Sequence, residues 1–302
     1  MARGGRPGRT TNPERVLFPE EGLTKGEIVD YYRRVAPVMV PHLRGRPLML
    51  ERYPEGIGGP GFYQKDIPDY FPSFVHRVEV AKEGGTVVHA VCDDEETLVY
   101  LANQGSLTFH TWTSRVDRLH QPDMVVFDLD PPAKGFPVVR TAARRLREVL
   151  EDLGLVPFLK TTGSRGLHVV APLEPRADFE AVRAFAFGVA ELLVAMDPGR
   201  LTTAVRKAKR GGRVFVDVLR NGYAQTAVAP YSVRARPGAP LSTPLDWDEL
   251  SSGRLTPDRY TVRNLFRRLG AKPDPWSGMA GQARPLDEAR RRLGALASRR
   301  AS

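Results

Sequence analysis

The sequence predicts an α/β or α+β protein, and three observations support that class. Short apolar runs of strand length alternate with amphipathic segments of helix length along most of the chain. Glycine and proline clusters such as Gly56-Ile57-Gly58-Gly59-Pro60-Gly61 punctuate them as loops. No period of about 20 to 50 residues recurs, so a solenoid or propeller is not indicated.

Taken in order, residues 1–10 are Gly/Arg-rich and are expected to be a flexible basic N-terminus, with order beginning near Thr11-Asn12-Pro13. Thr24 can cap a helix that carries Ile28, Tyr31, Tyr32, Val35 and Val38 to about His42. Short strands are expected around Leu48 to Tyr53 and Gly61 to Lys65, then a strand from Thr86 to Cys92, a helix from Asp94 to Asn103 and a strand from Ser106 to Thr113. Val125-Val126-Phe127 reads as a buried strand. The helix behind it sets Val139, Ala142, Leu146, Val149, Leu150 and Leu153 against Arg140, Arg144, Arg145 and Arg147. Strands at Val156 to Leu159 and Leu167 to Ala171, a helix from about Asp178 to Ala195 and a strand from Val214 to Leu219 complete the alternation. Strand order does not follow from pattern alone.

At 302 residues the chain can bury a sizeable core as one two-lobed unit or two small domains. Its 45 basic and 35 acidic residues leave +10, and the base is mostly arginine. Guanidinium forks match phosphate oxygens, so a polyanionic partner fits; a merely solvated arginine-rich surface is the competing explanation. The one cysteine, Cys92, excludes a disulfide framework and a Cys-based zinc site and reads as a structural thiol. No run approaches a membrane span, and the start lacks an apolar signal core, so a cytosolic protein is expected.

The apolar run ends in Asp128-Leu129-Asp130-Pro131-Pro132. On a strand, residues i and i+2 share a face about 6.5 Å apart, so both acids look into one pocket. If Val214-Phe215-Val216-Asp217-Val218 lies beside it, Asp217 adds a third carboxylate. Such negative density is tolerable only around cations, and a pair of hard divalent ions such as Mg²⁺ or Mn²⁺ is the expected guest, the usual clamp for displacement at phosphorus. Alternatively, Asp128 and Asp130 cap a turn before the prolines.

A second constellation is Thr161-Thr162-Gly163-Ser164-Arg165-Gly166-Leu167-His168. Small residues let backbone N–H groups approach a phosphate, the Thr162 and Ser164 hydroxyls can donate to it, and Arg165 with His168 can neutralise it. It reads equally as a glycine hairpin with a surface arginine, and it is not a P-loop, lacking the Gly-Lys-Ser/Thr ending. The basic run Arg206 to Arg213 leads into the Asp217 strand, which lets Arg210 meet a nucleotide phosphate.

The combination of Asp128-Leu129-Asp130, Thr162-Gly163-Ser164-Arg165-Gly166-Leu167-His168 and Val216-Asp217-Val218 resembles the three motifs of the archaeo-eukaryotic primase superfamily. The stretches Thr11-Asn12-Pro13, Arg46-Pro47, Pro60-Gly61-Phe62-Tyr63-Gln64-Lys65 and Ala229-Pro230-Tyr231-Ser232-Val233-Arg234 look like the polymerase domain of bacterial DNA ligase D, used in Ku-dependent end joining. The similarity spans roughly Thr11 to Trp276. It implies a primase-polymerase fold of antiparallel and mixed sheets with flanking helices and a catalytic RRM-like module, over residues 11–276, followed by a C-terminal helical tail at 277–302. Asp128, Asp130 and Asp217 are then the catalytic triad, holding two Mn²⁺ or Mg²⁺ ions. His110, Thr162, Arg165, His168, Arg210 and Arg234 are implied to contact the nucleoside triphosphate. Asn12, Arg15 and Lys25 match positions that grip a 5′-phosphate, and Phe62 and Tyr63 match positions that stack on bases.

The sequence departs from this pattern at several places. Thr162 stands where many relatives have serine, Arg15 and Arg165 where relatives have lysine, and Glu51 where some carry lysine near the triphosphate. Ending at Ser302 without a Lys-x-Asp-Gly ligase motif or a phosphoesterase region, it is expected to be either an isolated domain or a separately encoded polymerase. The resemblance implies a template-directed nucleotidyltransferase that extends primers and fills gaps at 5′-phosphorylated DNA breaks, prefers ribonucleotides, works beside Ku and a DNA ligase, and acts on the nucleoid in the cytoplasm. Two other classes compete. A haloacid-dehalogenase-type phosphatase also opens on Asp-x-Asp, but it leaves the basic turn without a role. A non-catalytic nucleic-acid binder explains the arginine but not three inward acids.

Overall fold

The structure is a computed structural model that describes residues 9–132 and 135–301, so the expected flexible segment 1–10 lies, up to residue 8, outside the described residues. The chain forms two compact units. The first contains the chain up to Trp112 together with Val228–Ser242 and Tyr260–Ala271; the second contains Thr113–Ala227, Thr243–Arg259 and the chain from Lys272 onward.

In the first unit, β1 (Val16–Phe18) and β2 (Leu23–Thr24) pair as a short antiparallel ladder. Helix α1 (Lys25–Leu43) follows at once, because Thr24 closes a capping box with Glu27: its hydroxyl accepts from the Glu27 N–H, and the Glu27 carboxylate accepts from the Thr24 N–H at 2.8 Å. The buried stripe Ile28, Tyr31, Tyr32, Val35, Met39 matches the helical period. Strand β3 (Leu48–Arg52) pairs antiparallel with β4 (Phe62–Gln64). Strands β5 (His76–Lys82) and β6 (Gly85–Val91) form a hairpin, α2 (Glu95–Asn103) is capped by Asp94, and β7 (Ser106–Trp112) returns antiparallel to β3. Strand β5 has no counterpart in the sequence reading, since His76, Arg77, Glu79 and Lys82 mask the alternation of Val78 and Val80. The core gathers around Tyr32, Met39, Leu50, Phe109 and Tyr231. Buried phenols are satisfied there: Tyr31 donates to the Tyr231 carbonyl at 2.6 Å, and Tyr32 donates to the Leu107 carbonyl.

The second unit is built on β8 (Met124–Asp130), α3 (Phe136–Asp152), β9 (Phe158–Thr161), β10 (Leu167–Pro172), α4 (Phe179–Met196), β11 (Leu201–Thr202), β12 (Val214–Asp217), β13 (Thr226–Val228, which carries the chain to the unit boundary) and β14 (Pro244–Leu245). Six of these strands form one mixed sheet in the order β11-β12-β8-β10-β9-β14, antiparallel except for the β11–β12 pair. Helices α3 and α4 pack on this sheet, which is why β8 is apolar almost throughout. Strand β12 ends at Asp217, two residues before the expected Leu219, because the chain turns into a 3₁₀ segment at Leu219–Asn221. A C-terminal helix spans Leu286–Ala301. Among the described residues, no helix is long and apolar enough to cross a membrane.

Candidate active site

Sheet register assembles the acids. Asp128 on β8 lies directly opposite Asp217 on β12, and Asp130 lies opposite Phe215. Cross-strand partners share a face, and so do i and i+2, so the three carboxylates point together. Each offers an oxygen within 4.8 Å of the others'. The same register extends the row through His168 on β10 to Lys160 on β9. Four adjacent strands thus carry Lys160, His168, Asp128 and Asp217 side by side.

The charges in this row are unequal. Burial pushes Asp128 up, but His168, Arg220 and Lys160 outweigh it and bring the carboxyl down to about 2. His168 is itself held down at about 4, first by burial and then by Lys160, so its imidazole is neutral at neutral pH. Its contribution to Asp128 is therefore a hydrogen bond from Nε2–H across 3.3 Å rather than a full charge, with the Arg220 guanidinium at 3.7 Å adding one. Asp130 goes the other way. Burial and then Asp128 raise it to about 6, against Arg165. Asp217 is also raised by burial, while its Oδ1 accepts from the Leu219 N–H at 2.8 Å.

These acids fit divalent ions. Asp128 Oδ1 is buried without a hydrogen-bond partner, and the other two carboxyls are held up by burial and by the neighbouring charge of Asp128. A ligand set of clustered carboxylate oxygens suits Mg²⁺ or Mn²⁺ rather than a soft metal.

The turn after β9 is closed by Thr162. Its hydroxyl donates to the Gly166 carbonyl at 3.1 Å and accepts from the Ser164 and Gly166 N–H groups at 3.3 and 3.2 Å. The expectation that this hydroxyl is free to donate to a phosphate is therefore not how it is deployed: it staples its own turn. Two glycines are required here. Gly163 has φ +63°, and a Cβ on Gly166 would stand 2.2 Å from the Leu129 carbonyl oxygen, between the two aspartates of β8. The exposed Arg165 is left at the tip. Arg210 lies over the Phe215 ring at 3.9 Å, anchored by hydrogen bonds to the Ala204 and Val205 carbonyls, and its charge reaches Asp130 and Asp217.

The remaining expected residues lie in the first unit, in two groups. Asn12 adopts φ +48° and its carbonyl accepts from the Arg15 N–H; the Lys25 N–H donates to the Arg15 carbonyl at 2.7 Å. This turn brings Asn12, Arg15 and Lys25 together at the start of α1. Lys25 is only 8% exposed, and its ammonium donates to Thr11 Oγ1 at 2.7 Å. Burial, Arg15 and Arg52 lower it to about 8. The second group surrounds Glu51. His110 Nε2 stands 3.7 Å from its carboxylate and the Tyr53 hydroxyl donates to it at 3.1 Å. Burial raises Glu51, but His110 and Arg234 prevail and hold it below its usual range. Glu51 thus sets a negative charge beside the histidine and arginine expected to meet phosphate.

Phe62 and Tyr63 are 46% and 63% exposed, as stacking residues require. Successive strand positions face opposite ways, so they do not form one platform. Phe62 sits opposite Arg52, whose guanidinium lies over the ring at 5.4 Å, whereas Tyr63 sits opposite Glu51 and edges onto His110 at 6.2 Å.

Sequence reasoning missed Lys160 and Arg220. Neither belongs to a motif; Lys160 is placed by cross-strand register and Arg220 by the 3₁₀ segment after β12, for which the one hint is that it follows Asp217 by about a turn.

With the geometry in place, comparison with known proteins gives a consistent picture. The family described as LigD, primase-polymerase domain, matches residues 24–276. The multifunctional non-homologous end joining protein LigD of Pseudomonas aeruginosa is 35% identical over 287 residues, 94% of this chain and 34% of the relative. The bifunctional non-homologous end joining protein LigD of Bacillus subtilis is 31% identical over 268 residues, 88% of this chain and 43% of the relative. The chain therefore spans about a third of the length of the first of these relatives and under half of the second. Among solved structures, the polymerase domain of Mycobacterium tuberculosis ligase D in complex with DNA superposes with a TM-score of 0.86 at 32% identity, covering 91% of this chain and 98% of that one.

Proposed function

The chain belongs to the LigD primase-polymerase domain family and is a DNA-directed nucleotidyltransferase of that type, and from this premise we propose that it extends primer ends and fills gaps at 5′-phosphorylated DNA breaks in bacterial non-homologous end joining, with a preference for ribonucleotides. The observation that carries the proposal is the register that sets Asp217 opposite Asp128 with Asp130 on the same face.

Asp128, Asp130 and Asp217 are proposed to hold two Mn²⁺ or Mg²⁺ ions. Such ions, when bound, favour ionisation of a primer 3′-hydroxyl and offset charge on the leaving pyrophosphate. The chain's own residues prepare the site. His168 and Arg220 keep Asp128 ionised and oriented. Asp130 must lose its proton to serve as a ligand, with Arg165 and Arg210 easing that loss. Arg165 and Arg210 are assigned to triphosphate oxygens, and Thr162 to shaping the turn that presents Arg165. His168 is assigned to nucleotide contact through the same face of the sheet, and in the first unit His110 and Arg234 are assigned to it as well.

The group at the head of α1 is proposed as the 5′-phosphate receptor. A buried ammonium with two guanidiniums acting on it, at a helix N-terminus, is an arrangement that a phosphate dianion would relieve. Phe62 and Tyr63 are assigned to base stacking from opposite faces of β4. Ku and a DNA ligase are the proposed partners, with the nucleoid of the cytoplasm as the place of work.

A gapped duplex with a 5′-phosphate, labelled nucleoside triphosphates and Mn²⁺ tests the reading. Templated addition by the wild type and its loss in Asp128→Ala are expected; template-independent phosphate release in place of addition would overturn it.

A further inference from the structure

Asn221 lies outside every motif and contacts no proposed substrate, yet it is fully buried, at 0% exposure. It ends the 3₁₀ segment that follows β12. Its Oδ1 accepts from the Val126 N–H at 2.8 Å, and its Nδ2 donates to the Val126 carbonyl at 2.7 Å and to the Val218 carbonyl at 2.8 Å. The side-chain amide thus does for Val126 what a paired strand residue would do.

The need for it follows from the sheet. Strand β12 pairs with β8 at Phe215, Val216 and Asp217 and then turns away. Val126, two residues before Asp128, is left without a main-chain partner on that side. Asn221 fills the missing rung and at the same time holds the Val218 carbonyl, next to Asp217. The segment it closes also supplies the Leu219 N–H that binds Asp217 Oδ1. One side chain therefore links the strand that bears Asp128 and Asp130 to the turn that bears Asp217.

We propose that Asn221 is a positioning residue for the carboxylate cluster, fixing the separation of Asp217 from Asp128 and Asp130 and hence the affinity of the site for divalent ions. The proposal rests on the reading of the three acids as metal ligands. A small carboxylate cage is sensitive to sub-ångström displacement, and removing hydrogen bonds that orient ligands characteristically weakens metal binding without touching the metal.

The test is direct Mn²⁺ binding to the full chain without nucleotide or DNA, measured by calorimetry or by the spin-resonance signal of free Mn²⁺, below the melting transition of every variant. Asn221→Ala is expected to weaken Mn²⁺ binding about 10-fold, with a matching rise in the Mn²⁺ needed for half-maximal addition and no change in the preference for a 5′-phosphate. Asn221→Ser, which keeps one short donor, is the milder variant and carries the same expectation at smaller amplitude if the alanine variant does not fold. Leu193→Ala, in the buried face of α4, controls for loss of stability alone. Wild-type Mn²⁺ affinity in the Asn221 variants, or equal weakening in Leu193→Ala at the same melting temperature, overturns the proposal. Absence of Mn²⁺ binding in the wild type overturns the metal reading of the acids beneath it, and the two failures are thereby distinguished.

Discussion

The acid cluster of the second unit and the cation cluster at the head of α1 in the first are mirror images in charge and opposites in construction. In one, burial and a neighbouring carboxylate raise Asp130 to about 6; in the other, burial and neighbouring guanidiniums lower Lys25 to about 8. Each region gathers like charges that internal partners offset only in part, Glu55 on Arg15 at 2.5 Å and Arg220 on Asp128 at 3.7 Å, and an outside ion of opposite sign is proposed to relieve each. The acids, however, are drawn from strands 87 residues apart in sequence at Asp130 and Asp217 and set by register, whereas Asn12, Arg15 and Lys25 come from one turn and the first residue of the helix after it. Long-range assembly makes the proposed cage for compact cations. Local assembly makes the proposed cradle for a phosphate on a large partner.

If the two regions are independent, breaking one must leave the other's readout intact. The largest effect is expected from Asp128→Ala or Asp217→Ala, which should lower nucleotide addition by about 10³-fold or more while the preference for 5′-phosphorylated over 5′-hydroxyl gapped DNA persists in binding assays. A joint loss of addition and of phosphate preference would show that the clusters act as one. The next effect comes from the other side. Lys25→Ala removes a charged donor and should reduce the 5′-phosphate preference by about 10-fold, with Mn²⁺ binding unchanged. Equal binding of both DNAs by the wild type would remove the cradle from the account.

A smaller effect sharpens the comparison through pH. Folding raises Asp130, so between its ordinary value near 4 and about 6 the folded state holds more protons than the unfolded. In the metal-free protein this contribution to stability is fully present below pH 4 and is lost as pH rises through about 6. Asp130→Asn should therefore raise the melting temperature of the metal-free protein at pH 7.5 by a few degrees, on the order of what 1 kcal/mol produces in a protein of this size. In the wild type, Mn²⁺ affinity should climb as pH rises through about 6, because ion and proton compete for one carboxylate. A flat affinity from pH 5 to 7 would mean that Asp130 is not a ligand.

The difference in construction also decides what could be read in the sequence. At the head of α1 the Thr24 cap is legible because it is local, whereas Asn12, Arg15 and Lys25 enter only through the resemblance, although they and the Thr24–Glu27 capping box sit within sixteen residues. For the acids, the i, i+2 pair is legible from strand periodicity, and Asp217 joins it only on the condition that its strand lies alongside, which the resemblance implies, since strand order is not written in alternation. Lys160 was invisible for that reason, and Arg220 because it lies in the 3₁₀ segment after β12. The Thr162 hydroxyl was assigned outward, because its use depends on the conformation of Gly163 to Gly166 rather than on composition. Phe62 and Tyr63 are paired by the resemblance, although the same period-two rule that joins the aspartates separates them. Strand β5 was lost because its exposed face carries most of its residues, leaving Val80 as its one buried side chain.

The smallest expected effect is a fraction of a proton, and it reports on Lys25 alone. Folding lowers Lys25 to about 8, so between pH 8 and 10.5 the unfolded chain binds more protons and stability rises with pH across that window. Near pH 8 the ammonium is about half ionised. A phosphate monoester is a dianion at that pH, since its second ionisation lies near 6. Seated in the cradle, it favours the charged lysine and draws a proton from solution, up to about half of one per site. Calorimetric titration of gapped DNA at pH 8, in buffers of different ionisation enthalpy, measures this uptake directly. Proton uptake should be larger with the 5′-phosphorylated DNA than with the 5′-hydroxyl DNA, and Lys25→Ala should remove the difference. Asp128 and Asp130, at about 2 and about 6, make no such demand at pH 8, so Asp128→Ala should leave the difference in place; an uptake that vanished with the aspartate and survived loss of the lysine would assign the linkage to the wrong cluster.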